Sequence, residues 1–234
     1  MCSFRHVAAS HRCTVAISTG SEYPVRYQSS HHRDLVEPSA KLVNMHFALL
    51  GSTGFVGAEF ARQIAQRGVR CSAIRRSTCD LYSPSALSSA IKELAPDFLI
   101  NCAGYTGSPN VDACERDKAR CLEANSVLPG LIAEACVMAE IPWGHVSSGC
   151  IYQGKRADGN GFAEADTPNF TFRHGKCSWY SGTKALGEEI LENQSDCYLW
   201  RLRMPFSNLD SERNYLSKVM RYDRLLDVEN SLSN

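Results

Sequence analysis

Apolar positions along this chain switch between two periods. From His46 to Leu50 they run almost unbroken, and Phe55, Val56, Phe60 and Ile64 then recur at helical spacing, with glycines at 51, 54 and 57 in between. A short apolar run ending in glycine predicts a strand, and recurrence every three to four residues predicts a helix behind it. The alternation continues: residues 69–74 read as a second strand, 83–94 as a helix with Ser83 as N-cap and Pro84 at its first position, and 98–102 as a third strand. A helix over 128–138, a strand over 143–148, a helix over 181–192 and a strand over 197–203 complete the series. Strands alternating with helices predict an α/β fold, a doubly wound parallel sheet of Rossmann-like type. Residues 153–179, rich in Gly, Asp, Asn and Pro, carry no period and form the one long connection. Long connections inside compact domains are usually lids or binding loops.

Composition narrows the class. With 234 residues, 44% of them apolar and 21% charged, the chain can bury one sizeable core. Net charge is zero and no basic tract interleaves with aromatics, which argues against nucleic acid; no segment reads as a membrane span. Eleven cysteines are scattered without C-x-x-C spacing, so neither a zinc site nor a disulfide scaffold is expected. Cys102, Cys136 and Cys197 lie in apolar stretches and read as small buried hydrophobes, which fits a reducing cytoplasm. Residues 1–44 stand apart, holding four of the seven histidines, few acids and no sustained apolar period. They read as a disordered leader or a mis-assigned start, with a transit peptide as the alternative, and the globular pattern begins at Met45.

Candidate chemistry gathers at the predicted strand ends. In Gly51-Ser-Thr-Gly54-Phe-Val-Gly57, Gly51 permits a tight turn, Gly54 lets backbone approach a pyrophosphate and Gly57 lets the helix close on the strand. Thr53, Phe55 and Val56 complete a phosphate loop whose helix N-terminus faces the anion. Near the end of the second strand an acidic side chain would take a ribose 2′-hydroxyl and a basic one a 2′-phosphate. Arg75 and Arg76 stand there, which favours NADP(H), leaves NAD(H) open, and is equally compatible with a solvated basic pair. Tyr180 and Lys184 are four residues apart, so on a helix they share a face. An ammonium beside a phenol would lower its pKa from about 10, making it a proton donor and acceptor for a carbinol.

On these residues the sequence resembles the extended short-chain dehydrogenase/reductase superfamily, which pairs this glycine spacing with a Ser/Thr…Tyr-x-x-x-Lys site. Further stretches bring it near the bifunctional 3,5-epimerase/4-reductases of nucleotide-rhamnose synthesis. They are Asn101-Cys-Ala-Gly-Tyr-Thr-Gly107 with Pro109-Asn-Val-Asp-Ala-Cys-Glu115, residues 161–171, and Arg201-Leu-Arg-Met-Pro205 with Arg213-Asn-Tyr-Leu-Ser-Lys218. Bacterial dTDP-4-dehydrorhamnose reductases and GDP-fucose synthase are more distantly similar.

The resemblance implies roles. Asp80 and Leu81 would lie near the adenine, and Asn101, Ala103 and Gly104 against the cofactor diphosphate and ribose. Ser148, with Ser147 as the neighbouring ambiguity, would bind the C4 oxygen, Tyr180 would supply its proton, and Lys184 would also hold the nicotinamide ribose. Cys150 and Lys218 would form the acid–base pair that inverts C3 and C5, unless one is a structural thiol and the other a surface lysine. The implied partner is a UDP- or dTDP-linked 4-keto-6-deoxyhexose; a homodimer is left open. The alternatives are a simple nucleotide-sugar 4-reductase or 4-epimerase, or a non-catalytic cofactor-binding regulatory subunit. Resembling enzymes continue into a smaller C-terminal region, most of which this chain is expected to lack. Two departures bear on the substrate loop: residues 173–178 lengthen it, and Gly182 replaces a residue often basic.

Overall fold

A computed structural model describes residues 44–194 and 196–224, so nearly all of the expected leader, 1–44, lies outside the described residues. Five parallel strands stand side by side in the order β2-β1-β3-β4-β5. They are β1 (His46–Leu50), β2 (Arg70–Ile74), β3 (Phe98–Asn101), β4 (Trp143–Ser148) and β5 (Cys197–Leu202). The apolar run of β1 has no alternation because both its faces are buried: Ala48 and Leu50 enter one core cluster and Leu49 the other. On one face Leu49, Val69 and Ile100 pack with Phe60 and Ile64 of α1 (Phe55–Gln66), and Trp200 stacks on Phe60 at 5.7 Å. On the other, Leu50, Leu99, Trp143 and Leu199 meet Leu87 and Ile91 of α2 (Pro84–Leu94) and Ile132 and Cys136 of α3 (Lys118–Ala139). This is the expected doubly wound sheet.

Beside β1 the strand order turns, with β2 on one side and β3 on the other. Open α/β sheets take ligands outside the carboxyl ends of the strands at such a switch point. Ser83 caps α2 with Pro84 in its first turn, as the sequence predicts, its hydroxyl accepting from the Ala86 amide. Helix α4 (Trp179–Ile190) starts two residues earlier than predicted because Ser178 caps it, accepting from the Ser181 amide at 3.1 Å.

Two elements depart further. The helix predicted over 128–138 begins at Lys118 and passes through a π turn at Glu123–Val127. Its extra turns bury Cys121, Asn125 and Ser126, so the inward face is partly polar and shows no apolar period. This is the one helix among the described residues with the length and hydropathy to cross a membrane, yet half of that stretch is buried within the fold. A short α5 (Tyr215–Val219), capped by Asn214, follows β5.

Candidate active site

The three glycines of the first turn do different work. Gly51 has φ +73°, and a Cβ there would come within 2.6 Å of the Ala103 amide nitrogen, so the loop after β3 lies directly against it. A Cβ at Gly57 would overlap the Gly51 carbonyl oxygen, which fixes how closely α1 approaches β1. Gly54 is different, because a Cβ there would make only an ordinary 3.4 Å contact. It is the N-cap of α1 and offers no side-chain cap, so the first-turn amides of a twelve-residue helix are without a capping side chain. That donor set fits an anionic diphosphate. Phe55 and Val56 send their side chains into a cleft of about 360 Å³ between α1 and the segment after β5, shared with Phe60, Leu202, Pro205 and Phe206.

At the end of β2, Arg75 and Arg76 are exposed, and neither guanidinium has a hydrogen bond or ion pair among the described residues. Asp80 is exposed and accepts from the Tyr82 amide at 2.9 Å. Leu81, expected near the adenine, puts its side chain into the core instead, because it packs under α2. Asn101 also turns inward. It is fully buried, accepts from the Ala103 amide and pairs with His145 Nδ1, each at 2.9 Å, so its amide shapes the loop from beneath. Burial and then the charge of Lys184 hold the His145 imidazole well below its usual range, hence neutral.

Beyond Asn101 the loop is pinned by Asn125 at the π turn of α3. The Asn125 side chain accepts from the Tyr105 amide and donates to the Tyr105 carbonyl oxygen, both at 2.8 Å. A Cβ at Gly104 would lie 3.1 Å from Asn125 Oδ1 and 3.4 Å from Lys184 Nζ, which brings this backbone against the lysine. Sequence reading missed Asn125, whose one outward sign is a polar residue in the path of an apolar helix; π turns frequently mark functional sites.

Strand β4 and helix α4 assemble the remaining groups. The Val146 carbonyl oxygen accepts from Lys184 Nζ at 3.2 Å, the Ser147 hydroxyl donates to Glu188, and Ser148 ends the strand on the side of the Tyr180 phenol, whose pKa it lowers. Ser147 is thereby engaged with Glu188, which leaves Ser148 as the candidate on the Tyr180 side. Burial pushes the Tyr180 phenol above the usual tyrosine range, with the nearby Cys150 thiol adding to the rise and Ser148 opposing it. The expected lowering by Lys184 is not what this arrangement gives, because desolvation prevails and the ammonium turns to Val146. Burial brings Lys184 itself down to about 8, against the opposing pull of Glu188.

Cys150 lies in the turn Gly149–Ile151 that leaves β4, its amide donating to Ser148 Oγ at 3.2 Å. Its side chain packs into the cluster of Cys114, Cys121 and Tyr180. Lys218, half-buried on α5, has no hydrogen bond or ion pair to Cys150 among the described residues. Its segment is nevertheless tied to the site, because Arg213 donates to Thr106 Oγ1 and to the Gly107 carbonyl oxygen, both at 2.7 Å. Burial raises both the Cys102 thiol, to about 12, and the Cys136 thiol; Cys136 is a small buried hydrophobe as expected, whereas Cys102 is only partly buried. Gly182 also has a local reason: a side chain there would run into the Phe172 ring, carried by the long loop.

Residues 45–228 match the family described as the RmlD substrate binding domain. Over 195 residues the chain is 33% identical to a trifunctional UDP-glucose 4,6-dehydratase/UDP-4-keto-6-deoxy-D-glucose 3,5-epimerase/UDP-4-keto-L-rhamnose-reductase of Arabidopsis thaliana, covering 81% of this chain and 28% of that protein. It is 31% identical to a bifunctional dTDP-4-dehydrorhamnose 3,5-epimerase/dTDP-4-dehydrorhamnose reductase of the same plant, covering 81% and 62%. The crystal structure of the L780 UDP-rhamnose synthase from Acanthamoeba polyphaga mimivirus superposes with a TM-score of 0.69 at 25% identity, over 78% of this chain and 64% of that one. The chain thus spans less than two thirds of the length of each of these proteins.

Proposed function

The chain belongs to the RmlD substrate-binding-domain family, and from that premise we propose that it converts a UDP- or dTDP-linked 4-keto-6-deoxyglucose to nucleotide-rhamnose, by 3,5-epimerisation and NADPH-dependent 4-reduction. The observation that carries this reading is the meeting of Ser148, Tyr180, Lys184 and Cys150 at the carboxyl edge of the sheet, beside an uncapped helix N-terminus.

A bound nicotinamide cofactor supplies hydride to the ketone carbon. The protein's part is to hold the ketone and move protons. Ser148 and Tyr180 address the C4 oxygen together, and a phenol kept protonated by burial is ready to give its proton to the developing alkoxide. The uncapped amides of α1 and the Gly51 turn receive the diphosphate; Arg75 and Arg76 favour a 2′-phosphate, with NAD(H) as the alternative. For epimerisation, the 4-keto group acidifies the protons at C3 and C5. Cys150, next to Tyr180, and Lys218 would form the base–acid pair, one taking each proton from one face of the ring and the other delivering a proton to the opposite face. That no hydrogen bond joins Cys150 and Lys218 among the described residues is the observation on the side of the second reading, a simple 4-reductase.

The test is to supply UDP- and dTDP-4-keto-6-deoxyglucose with NADPH or NADH and identify products by NMR. A rhamnose product with NADPH preferred is expected. A 6-deoxyhexose unaltered at C3 and C5 would leave the 4-reductase reading, and no cofactor oxidation with either sugar would leave the non-catalytic one.

A further inference from the structure

Beneath the reductive groups lies a second layer of charge that the mechanism above does not use. Glu188 stands one turn after Lys184 on α4, and Arg201 projects from β5; both side chains are 5% exposed. Arg201 Nη2 donates to Glu188 Oε2 at 2.7 Å, and its Nε lies 3.0 and 3.1 Å from the two carboxylate oxygens. The carboxylate also accepts from Ser147, the neighbour of Ser148. The remaining amino group, Nη1, leaves the helix altogether. It donates to the Tyr152 hydroxyl at 2.7 Å and the Glu164 carbonyl oxygen at 3.0 Å, while the Tyr152 hydroxyl donates to the Asp166 carbonyl oxygen at 2.7 Å. One guanidinium therefore joins the helix carrying Tyr180 and Lys184 to the chain that follows Ser148 and Cys150.

Stability alone gives no reason for this arrangement. Replacing a buried ion pair by apolar residues of similar volume is often neutral or stabilising, whereas removing one partner strands a charge. The geometry has a reason in the site. Lys184 is buried, and besides Glu188 the groups acting on it include the thiols of Cys102 just after β3, Cys121 from α3 and Cys114 from the turn before it, with the neutral His145 imidazole of β4 also within its field. Glu188 lies four residues on along the same helix, on the same face, and its charge opposes the lowering of Lys184 by burial.

We propose that Glu188 and Arg201 are positioning residues for the reductive site: Glu188 is the buried counter-ion of Lys184, and Arg201 clamps that carboxylate while tying residues 152–166 to the same helix. Neither is catalytic in the sense of touching the reacting atoms. The inference takes Tyr180 and Lys184 as the reductive pair of the proposed function, but its first test needs no substrate.

In the full chain carrying ¹³C-labelled lysine, the Lys184 signal, assigned by its loss in Lys184→Met, is titrated in wild type and in Glu188→Gln. The midpoint is expected to fall by about one pH unit or more when the carboxylate is neutralised. The second test is the double variant Glu188→Met/Arg201→Met, which strands neither member of that ion pair and is expected to fold, with a Tm lowered only as far as Lys184 loses its counter-ion. Its kcat for the 4-keto sugar is expected to drop about tenfold to a hundredfold with KM little changed, since misplacement of about 1 Å costs that much. The alkaline limb of its pH profile should move down with the Lys184 midpoint. An unshifted midpoint in Glu188→Gln, or a folded double variant turning over at the wild-type rate, overturns the proposal. If Glu188→Gln does not fold, the same titration is read in the double variant. If wild type reduces neither sugar, the reductase reading fails while the titration still decides the role of Glu188.

Discussion

Burial holds the Lys184 ammonium down at about 8, while Glu188 pulls the other way. In the unfolded chain the same group titrates near 10.4. Between these values the unfolded state binds more protons than the folded one, so stability rises with pH across that window and the cost of burying the charge is fully present below it. Lys184→Met is therefore expected to be more stable than wild type at pH 7, by on the order of 1–3 kcal/mol, with the advantage fading toward pH 10.5. Urea unfolding at the two pH values checks this; a variant less stable at pH 7 would show that the bond to Val146 outweighs the desolvation. Such a residue is a site feature bought at the expense of stability, a common trade-off. Tyr180 and Lys184 were visible in the sequence as candidates by type and spacing, and Ser148 and Cys150 through the family resemblance. Their electrostatics were not. That the phenol is raised by burial, and that Asn101 and Leu81 turn inward, depends on which way each side chain leaves its helix, strand end or turn.

Among the elements, the glycine turn separates packing from ligand approach. Gly57→Ala would force a Cβ into the Gly51 carbonyl, so it is expected to lower stability by about 1–3 kcal/mol, as overpacking does. Gly54→Ala meets only an ordinary contact and is expected to leave the fold nearly unchanged while weakening NADPH binding. Thermal unfolding and fluorescence titration with NADPH check the pair. Equal loss of Tm in both would show that Gly54 serves packing as well. The strand–glycine–helix order was readable because each piece carries a local signal: an apolar run, a turn former and a 3.6-residue period. The first turns of α3 were not readable, because Cys121, Asn125 and Ser126 fill the inward face with polar groups that bond the β3 loop and α4. Helix α5 is a single capped turn, below the length at which periodicity speaks.

For the molecule as a whole, the alternation of strands and helices predicted the class of sheet, but not the order β2-β1-β3-β4-β5, which depends on contacts between strands far apart in sequence. That order places the ends of β1, β3, β4 and β5 along one edge, where the candidate groups meet. Met45 already packs on the core beside α1, and the family match begins at residue 45. A chain started at Met45 is therefore expected to keep the Tm and NADPH affinity of the full sequence, and a clear loss in either would assign residues 1–44 a part in the fold. The central claim is that one site both epimerises and reduces. Deuterium uptake at C3 and C5 of the 4-keto sugar in heavy water, followed by NMR beside NADPH oxidation, reads the two steps separately. Tyr180→Phe removes the proton donor for reduction and is expected to stop NADPH oxidation while exchange continues. Cys150→Ser replaces the thiol by a hydroxyl too weakly acidic to mediate exchange, and is expected to abolish uptake while the ketone still accepts hydride. Uptake at both carbons at the wild-type rate in Cys150→Ser would contradict the account and leave Cys150 a structural thiol.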